Sequence, residues 1–551
     1  MKKQTQYLNV LLAAMIVWVP NQLHLPADLG VKGLNSINLL FLAILYFVHQ
    51  RNKTLPPSEA TPLKGVFIAY FCMLGWGFLV GQITDRSLIM EDLTAMKNSI
   101  FFMCLYFVFF HGARDETSIR HLFYAVLFVA AIAGLEAIRE GIDYGFGVYG
   151  ETKRAAGPFG SNYKASNLAA VFFSMFMPVF AAVALYQKGR PTIRMGAIAG
   201  VGILLLGIFC TYSRQAYLIV AAMLLLMTLK RNVVLGILIL VAVVNYEAWV
   251  PEGVVTRLAM TEQTSEETGE EQLDESTESR FVLWAGAGRL LLSRPWGIGL
   301  NHFKREIGSE EPSLAGLDAH NFLVLITTEA GPFGGIMTLI LYGSLATLAW
   351  RFWKLARTPD QQAMAAGFAG ATIAVMLGNL YGSRLLDGAV TGNYWILAGL
   401  SARYWLLLKN GTRDETGALI DTTQDTAVST DDKGPDGTPR PPVQEPATRP
   451  RPDRPSPRDA DGRLKQPIKN NELPTLALAT RGIAYLELRL LDCNPEAPCG
   501  VSLDQLRILE AFMLWVILNP DAPQNHSARD ENAHNRLRTA CCGLGEHFTL
   551  K

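Results

Sequence analysis

Long apolar segments, separated by short polar breaks, make up most of the chain, from its start to about Leu408. A helix needs roughly 17–25 mostly apolar residues to cross a bilayer. The sequence therefore predicts an all-α, polytopic membrane protein with about twelve transmembrane helices, the tenth long enough to tilt or kink. The candidate spans cover residues 7–24, 33–49, 66–83, 98–111, 121–138, 165–187, 193–211, 214–229, 233–250, 320–350, 361–380 and 391–408.

Basic residues in the breaks predict the orientation, because cytoplasmic loops of membrane proteins carry an excess of Lys and Arg. Counting from Lys2 and Lys3, alternate breaks are basic, which predicts a cytoplasmic N-terminus and a cytoplasmic C-terminal tail. The same count places residues 251–319, between spans nine and ten, outside as a large loop. The supporting residues are Arg51, Lys53, Lys64, Arg114, Arg120, Lys188, Arg190, Arg194, Lys230, Arg231, Arg351, Lys354, Arg357, Arg403 and Lys409.

A smaller group of basic residues falls on the predicted outer side, against this rule. Exceptions to a rule that holds along the rest of the chain indicate places where an anion is held. They include Arg139, Lys153, Arg154, Lys164, Arg214, Arg280 and Arg384. The chain as a whole has 49 Lys and Arg against 49 Asp and Glu, so a nucleic-acid partner, which normally requires a basic excess, is not expected.

The polar parts of the sequence divide the chain into three regions. Residues 1–409 form the predicted transmembrane domain, residues 410–470 a disordered Pro-rich linker, and residues 471–551 a small cytoplasmic helical module. Within the outer loop, the acidic residues 261–279 are predicted to be a solvated insert. A helix capped by Ser279 is expected to follow it.

The stretch "DAHNFLVLITTEAGPFGG" places a histidine at the outer end of the tenth span. A helix turns about 100° per residue, so Gly331 and Gly334 return to nearly the face of His320. That face carries an imidazole at its wet end and glycines deeper in, with Pro332 bending the helix. The glycines alone equally indicate close helix packing in a membrane. Glu329 lies on the opposite face, so it is not expected to orient His320.

Three arginines on the predicted outer side are candidates for holding an anion. Arg214 and Arg280 each follow a serine at a predicted helix start, and Arg384 follows Ser383 in an outer break. The free N–H groups of a helix start and the guanidinium fork both suit an anion there. Beside an external histidine, these arginines predict a pyrophosphate site; taken singly, each equally suits a solvated or snorkelling side chain.

Three segments, "TYSRQAYL", "SRFVLWAGAGRLLLSRPWGIGLNHF" and "DAHNFLVLITTEAG", follow one another in an order that resembles a known family. His320, Asn321, Gly331 and Gly334 fit its pattern of His-[Asn/Ser/Gln], nine residues, Gly, two residues and [Gly/Thr/Tyr]. The family is the O-antigen ligase superfamily, which also includes O-antigen polymerases and bacterial protein O-oligosaccharyltransferases. The resemblance covers roughly residues 150–350; the tail resembles no family that we identify by inspection. One departure is Asn162-Tyr163-Lys164, where the family more usually has Asn-Pro-Asn.

This resemblance implies a glycosyltransferase of the bacterial inner membrane with its active site on the periplasmic side. The donor would be a glycan on undecaprenyl pyrophosphate, and the acceptor a hydroxyl of a periplasmic glycan or of lipid A-core. His320 would be the base, and Arg214, Arg280 and Arg384 would hold the pyrophosphate, with inversion at the anomeric carbon and without a metal ion or other cofactor. Related metal-dependent enzymes use acidic residues in the first outer loop, which here offers only Asp28. The bilayer is a further partner, as are a chain-length regulator or export proteins in the polymerase case.

Two alternatives stay open. Within the family, a protein O-oligosaccharyltransferase shares the motif. From another class, a polysaccharide or lipid transporter also has many spans and charges within the membrane. The chain lacks a repeated half-pattern and its large outer loop is asymmetric, which favours the transferase over the transporter.

Overall fold

The described residues of the predicted transmembrane region are mostly helical. The computed structural model describes residues 2–25, 28–31, 34–53, 60–160, 165–260, 262–264, 271–273, 275–310, 312–411, 462–465 and 485–488. In chain order the helices are α1 Lys2–Trp18, α2 Ser36–Lys53, α3 Lys64–Thr84, α4 Ile89–Gly112, α5 Glu116–Asp143, α6 Ser166–Tyr186, α7 Pro191–Thr211, α8 Arg214–Arg231, α9 Val233–Val244, α10 Glu252–Ala259, α11 Glu275–Ser293, α12 Phe303–Glu310, α13 Phe322–Ala330, α14 Pro332–Leu355, α15 Pro359–Gly378 and α16 Gly388–Asn410.

Six of these helices are long and apolar enough to cross a membrane: α3, α4, α5, α6, α7 and α14. The all-α, polytopic fold is therefore confirmed. Each of the other predicted spans also coincides with a helix or a helical segment, but a total of twelve crossings stays a prediction. Local signals mark several boundaries. Asp115 caps α5 by accepting a hydrogen bond from the backbone N–H of Ser118, and Thr358 and Gln361 form a reciprocal capping box at the start of α15.

The centre of the bundle is formed by α6 and α16, whose residues are buried along nearly their whole length. A helix that is apolar on all sides is stable only when other helices or lipid surround it. Here α6 packs against α7, α8 and α15, whereas α16 packs against α4 and α14. The remaining apolar helices leave one face exposed, as expected for helices that border lipid.

Contacts between loops group the helix ends into two sets. At one, which we call the Asp360 end, Arg190 and Arg120 lie 3.0 Å and 3.6 Å from the carboxylate of Asp360. At the other, the His320 end, Arg384 lies 3.8 Å from Asp318. The charge rule assigns Arg120, Arg190 and Asp360 to the cytoplasm, and Asp318 and Arg384 to the outside. The structure thus brings together residues that are predicted to share a side.

Strands are few and short among the described residues. Asp28–Val31 pairs with Leu34–Asn35 after α1, and Glu262–Thr264 pairs with Glu271–Leu273, both antiparallel. The second pair lies within the acidic stretch that the sequence predicted as a solvated insert. The helix after it, α11, begins at Glu275 and not at Arg280 behind Ser279, so this predicted boundary was wrong by five residues.

The C-terminal part of the chain forms a separate compact unit, Ser429–Lys551, whereas the first unit is Met1–Val428. Its described residues are two antiparallel strands, Gly462–Lys465 and Tyr485–Leu488. The second strand falls where the sequence predicted a helix, so the expectation of a helical module fails at that position. The rest of the predicted module and most of the Pro-rich linker lie outside the described residues.

Candidate active site

His320 lies in the outer loop immediately before α13. Asn321 caps that helix, because its side-chain oxygen accepts hydrogen bonds from the backbone N–H of Leu323 at 2.9 Å and of Val324 at 3.2 Å. His320 has a φ of 51°, a left-handed conformation that is uncommon for a residue other than glycine and is concentrated at functional sites. Its backbone N–H donates to Asp318 Oδ1 at 3.2 Å. The His-Asn pair therefore ends the loop, starts the helix and fixes the backbone that carries the imidazole.

Charged residues from three parts of the chain surround this histidine. Burial lowers the pKa of His320 below its ordinary value of 6.5, and the cations of Arg280, Arg384 and Lys304 lower it further, whereas Asp318 acts in the opposite direction. The imidazole is therefore neutral near pH 7 and able to accept a proton. The arginines also make this end of the protein attractive to an anion.

Arg280 reaches the site from α11, where it stands in the second turn and not at the helix start that the sequence predicted. One turn further on, Trp284 donates its indole N–H to the carbonyl oxygen of Ala319 at 2.9 Å. Residues four apart share a helix face, so this bond turns the face of Arg280 toward the 318–320 loop. The argument from free N–H groups at a helix start does not apply to Arg280.

Arg384 reaches the site from the loop between α15 and α16. Its backbone N–H donates to the side chain of Asn379 at 2.9 Å, and the carbonyl oxygen of Asn379 accepts from the backbone N–H of Phe322 at 2.8 Å. Its guanidinium is 3.8 Å from the carboxylate of Asp318. The negative charge of Asp318 in turn opposes the lowering of the pKa of His320 by burial. This loop is thus tied directly to the first turn of α13.

Arg214 is the first residue of α8, behind Ser213 at the N-cap, as the sequence predicted. The next residue, Gln215, donates to the carbonyl oxygen of Gly378 at the end of α15 at 2.6 Å. Through Gln215 the start of α8 is joined to the loop that carries Arg384. The role of Arg214 in holding a pyrophosphate stays a prediction.

Two further arginines adjoin the start of α8 and were not among the predicted site residues. Arg154 donates to the carbonyl oxygen of Thr211 at 2.9 Å and to Asn167 Oδ1 at 2.8 Å. Arg257 of α10 stacks over the ring of Tyr149 at 5.0 Å. Burial, and then the nearby Arg257, lower the pKa of Arg154. The excess of basic residues on the predicted outer side was a signal for Arg154. Arg257 and Lys304 also lie in the predicted outer loop, but the sequence analysis did not single them out.

The helix expected to run from His320 through Gly334 is broken at Gly331, so the predicted common face of His320, Gly331 and Gly334 does not exist. Gly331 has φ 72° and ψ −173°, and Pro332 begins a new helix. A β-carbon on Gly331 would lie 2.8 Å from the carbonyl oxygen of Pro295, and one on Gly334 would lie 2.3 Å from that of Ile326. Both glycines therefore allow backbone segments of this protein to pack closely, the alternative that the sequence had left open.

The C-terminal tail is similar to part of another protein class, a likeness that inspection of the sequence missed. Residues 460–539 match the glutamate–cysteine ligase family. The chain is 45% identical over 65 residues to the glutamate–cysteine ligase of Aliivibrio fischeri (strain MJ11), covering 12% of each protein. It is 38% identical over 99 residues to that of Shewanella amazonensis (strain ATCC BAA-1098 / SB2B), covering 16% of this chain and 19% of the relative. The chain thus spans well under a quarter of the length of these curated relatives.

The segment that holds most of the candidate site matches a different family. Residues 199–339 match the O-antigen ligase family. This range includes the start of α8, the outer loop with α11, His320 with its capping asparagine, and both motif glycines. It supports an enzyme of the O-antigen ligase and polymerase type, a membrane protein related to glycosyltransferases. The match over residues 199–339 supports membership of the O-antigen ligase superfamily for the membrane part of this chain.

Proposed function

We propose that this protein transfers a glycan from undecaprenyl pyrophosphate to a hydroxyl of a periplasmic glycan acceptor, as an O-antigen ligase or as an O-antigen or exopolysaccharide polymerase. The observation that carries the proposal is the placement of His320. Its imidazole lies at the start of α13 with a lowered pKa, and cationic side chains from α11 and from the α15–α16 loop act on it. Such a site supplies a base and a binding place for an anion at the same position.

The proposed reaction is a single displacement. The neutral imidazole of His320 takes the proton of the acceptor hydroxyl while its oxygen attacks the anomeric carbon of the donor. The bond from that carbon to the pyrophosphate oxygen breaks, and the lipid pyrophosphate leaves with the bonding electrons. Arg214, Arg280 and Arg384 hold the charge that develops on it, which is the role a metal ion has in other transferases. Attack from the face opposite the leaving group inverts the configuration.

Two other functions are kept as candidates because the site alone does not select the acceptor. A protein O-oligosaccharyltransferase would use the same base and the same donor with a serine or threonine hydroxyl. A transporter would move the lipid-linked glycan without breaking the anomeric bond. Transporter and transferase differ in where the lipid-linked glycan accumulates when the protein is lost. Loss of a transporter leaves it in the inner leaflet, whereas loss of a transferase leaves it in the outer leaflet.

The test is transfer by the full-length protein reconstituted in liposomes with a lipid-pyrophosphate-linked glycan and a glycan acceptor. Wild-type protein should form the new glycosidic bond in the presence of chelator. His320→Ala should reduce turnover by roughly 10²–10⁴-fold while donor binding is retained, since a general base contributes in the transition state. Transfer at the wild-type rate by His320→Ala contradicts the proposed base. A strict requirement for magnesium or manganese contradicts the metal-independent mechanism.

We place the protein in the bacterial inner membrane, with the His320 end in the periplasm and the tail in the cytoplasm. The support is the charge rule, together with the gathering of Arg120, Arg190 and Asp360 at the end opposite to the candidate site. The matched part of the tail covers too little of the glutamate–cysteine ligases to carry a proposal of that activity.

A further inference from the structure

A buried carboxylate forms the centre of a polar network that the proposed reaction does not use. Asp92 of α4 is 1% exposed, and its Oδ2 lies 2.8 Å from Nε2 of the fully buried His302. The same oxygen accepts from Gln82 Nε2 of α3 at 3.0 Å, and Oδ1 accepts from Asn301 Nδ2 at 3.2 Å. A buried charge is tolerated only when it is paired and hydrogen-bonded. Gln82, Asn301 and His302 provide these hydrogen bonds, which join α3 and α4 to the outer loop.

The segment that carries His302 is inserted between α3 and α13. Along it, the backbone N–H of Leu300 donates to the carbonyl oxygen of Gly77 on α3 at 2.9 Å. On the opposite side, the N–H groups of Ile298 and Gly299 donate to the carbonyl oxygens of Thr328 at 3.0 Å and Glu329 at 2.9 Å. The last carbonyls of a helix have no partner within it, so residues 297–302 satisfy the C-terminal end of α13.

There is no spare room around this insertion. A β-carbon on Gly299, which has φ 109°, would lie 2.4 Å from the α-carbon of Gly81. Four residues after Gly299, the backbone N–H of Phe303 donates to the buried carboxyl group of Glu329 at 3.2 Å. A side chain on Gly299 would therefore push the segment away from α3. A shift of the segment would break its hydrogen bonds to the end of α13.

Helix α13 is short, nine residues or about 13 Å at 1.5 Å per residue, and it is held at both ends. At its start, Phe322 donates to Asn379, and the loop before it is bonded to Trp284. At its end, the segment that Asp92 holds satisfies its carbonyls. His320 stands directly before the first turn, so the orientation of its imidazole depends on both attachments.

We propose that Asp92 and His302 are positioning residues for the reaction: their contact fixes the 297–302 segment, which fixes α13 and with it His320. This inference rests on the proposed function of His320. It adds Asp92 and His302, which are 210 positions apart in the sequence, as residues that contact neither donor nor acceptor. Their loss should reduce the turnover number and leave the Michaelis constant for the donor nearly unchanged, because the arginines that hold the pyrophosphate are carried by other elements.

The variants are His302→Gln and His302→Asn, which differ by one methylene. The side-chain amide of glutamine can occupy the place of the imidazole Nε2 and donate to Asp92, whereas that of asparagine is too short to reach it. A misplacement of about 1 Å can reduce a rate by as much as 10²-fold. We expect His302→Asn and Asp92→Asn to lower kcat by roughly 10–100-fold with KM for the donor within about twofold, and His302→Gln to recover most of the rate.

The matched control is Asp360→Asn at the opposite end of the bundle. Asp360 is also bonded by several side chains, namely Arg190, Arg120 and Gln187, but none of them leads to α13. Its loss should reduce the amount of monodisperse protein without changing kcat per folded molecule. Folded protein is measured by size-exclusion chromatography in detergent, and kcat and KM by transfer in liposomes.

Several outcomes overturn the inference. Full kcat in His302→Asn and Asp92→Asn does so, as does an equal loss in His302→Gln and His302→Asn. A fall in kcat with Asp360→Asn as large as with Asp92→Asn shows a general effect of destabilisation and also overturns it. If none of the Asp92 and His302 variants yields folded protein, the contact serves stability alone and the proposal is rejected. Unaltered transfer by His320→Ala, in contrast, removes the proposed function itself, so the two failures are distinguishable.

Discussion

Replacing Gly331 by alanine tests whether the break between α13 and α14 positions the loop that contains His320. Gly331 has φ 72° and ψ −173°, a region essentially restricted to glycine, where another residue costs about 1–3 kcal/mol. Its new β-carbon would also lie 2.8 Å from the carbonyl oxygen of Pro295 and 3.0 Å from the carbonyl carbon of Trp296. The turn at 295–296 and α13 must therefore separate, or the backbone must leave this conformation.

The expected loss of stability corresponds to a fall in unfolding temperature of roughly 2–6 °C, taking about 2 °C per kcal/mol for a large domain. The transfer rate should fall as well, because His320 lies directly before the first turn of α13. The matched control is Gly343→Ala in the middle of α14, where a β-carbon meets nothing within 4 Å. Alanine is favoured over glycine inside a helix, so this control should be neutral or slightly stabilising. Equal unfolding temperatures and rates for Gly331→Ala and wild-type protein would refute the reasoning.

Three further predictions concern the charges and the tail. Because burial and nearby cations lower the pKa of His320, transfer should persist somewhat below pH 6.5 and be lost as the pH falls through the lowered pKa. Arg384→Gln removes one cation and should move the acidic limb of the pH–rate profile to higher pH. A limb that does not move, or that moves to lower pH, contradicts this electrostatic account. Arg280→Ala should weaken donor binding and slow transfer, and lysine should restore little because it lacks the bidentate fork; binding and transfer equal to wild type would remove Arg280 from the site. A chain that ends at Asn410 should insert and transfer normally, and a truncated protein that inserts but is inactive would show that the tail is needed.

The helices of the membrane domain could be predicted from the sequence because long apolar segments leave the backbone no alternative to internal hydrogen bonds. The start of α8 was also predictable, since Ser213 and Arg214 interrupt two apolar runs. The start of α11 at Glu275 was not, because the acidic stretch 261–279 contains a single large apolar residue, Leu273, and so has no helical period to read. The break at Gly331 does have a local signal, because a glycine that can end one helix stands before a proline that can begin the next. The sequence analysis took this pair to indicate only a bend in a continuous helix.

The composition of the site could be predicted only in part. A family motif pointed to His320 and Asn321, and the charge rule pointed to Arg280 and Arg384. Their convergence depends on contacts between distant parts of the chain, such as that of Trp284 with Ala319, which no local pattern specifies. For the same reason no sequence pattern indicated the network around Asp92.

The separation of Asp92 from His302 also has a consequence for how the protein is made. Ribosomes add roughly 5–20 residues per second, so the 210 residues between them require about 10–40 s to synthesise. Throughout that interval the carboxylate of Asp92 in α4 lacks its histidine, and the segment that satisfies the end of α13 has not been synthesised. The outer loop can dock only after α3, α4 and α13 are all in place. The candidate site is therefore one of the last parts of the molecule to assemble, and the activity that we propose would begin only when α13 and the 297–302 segment are in place.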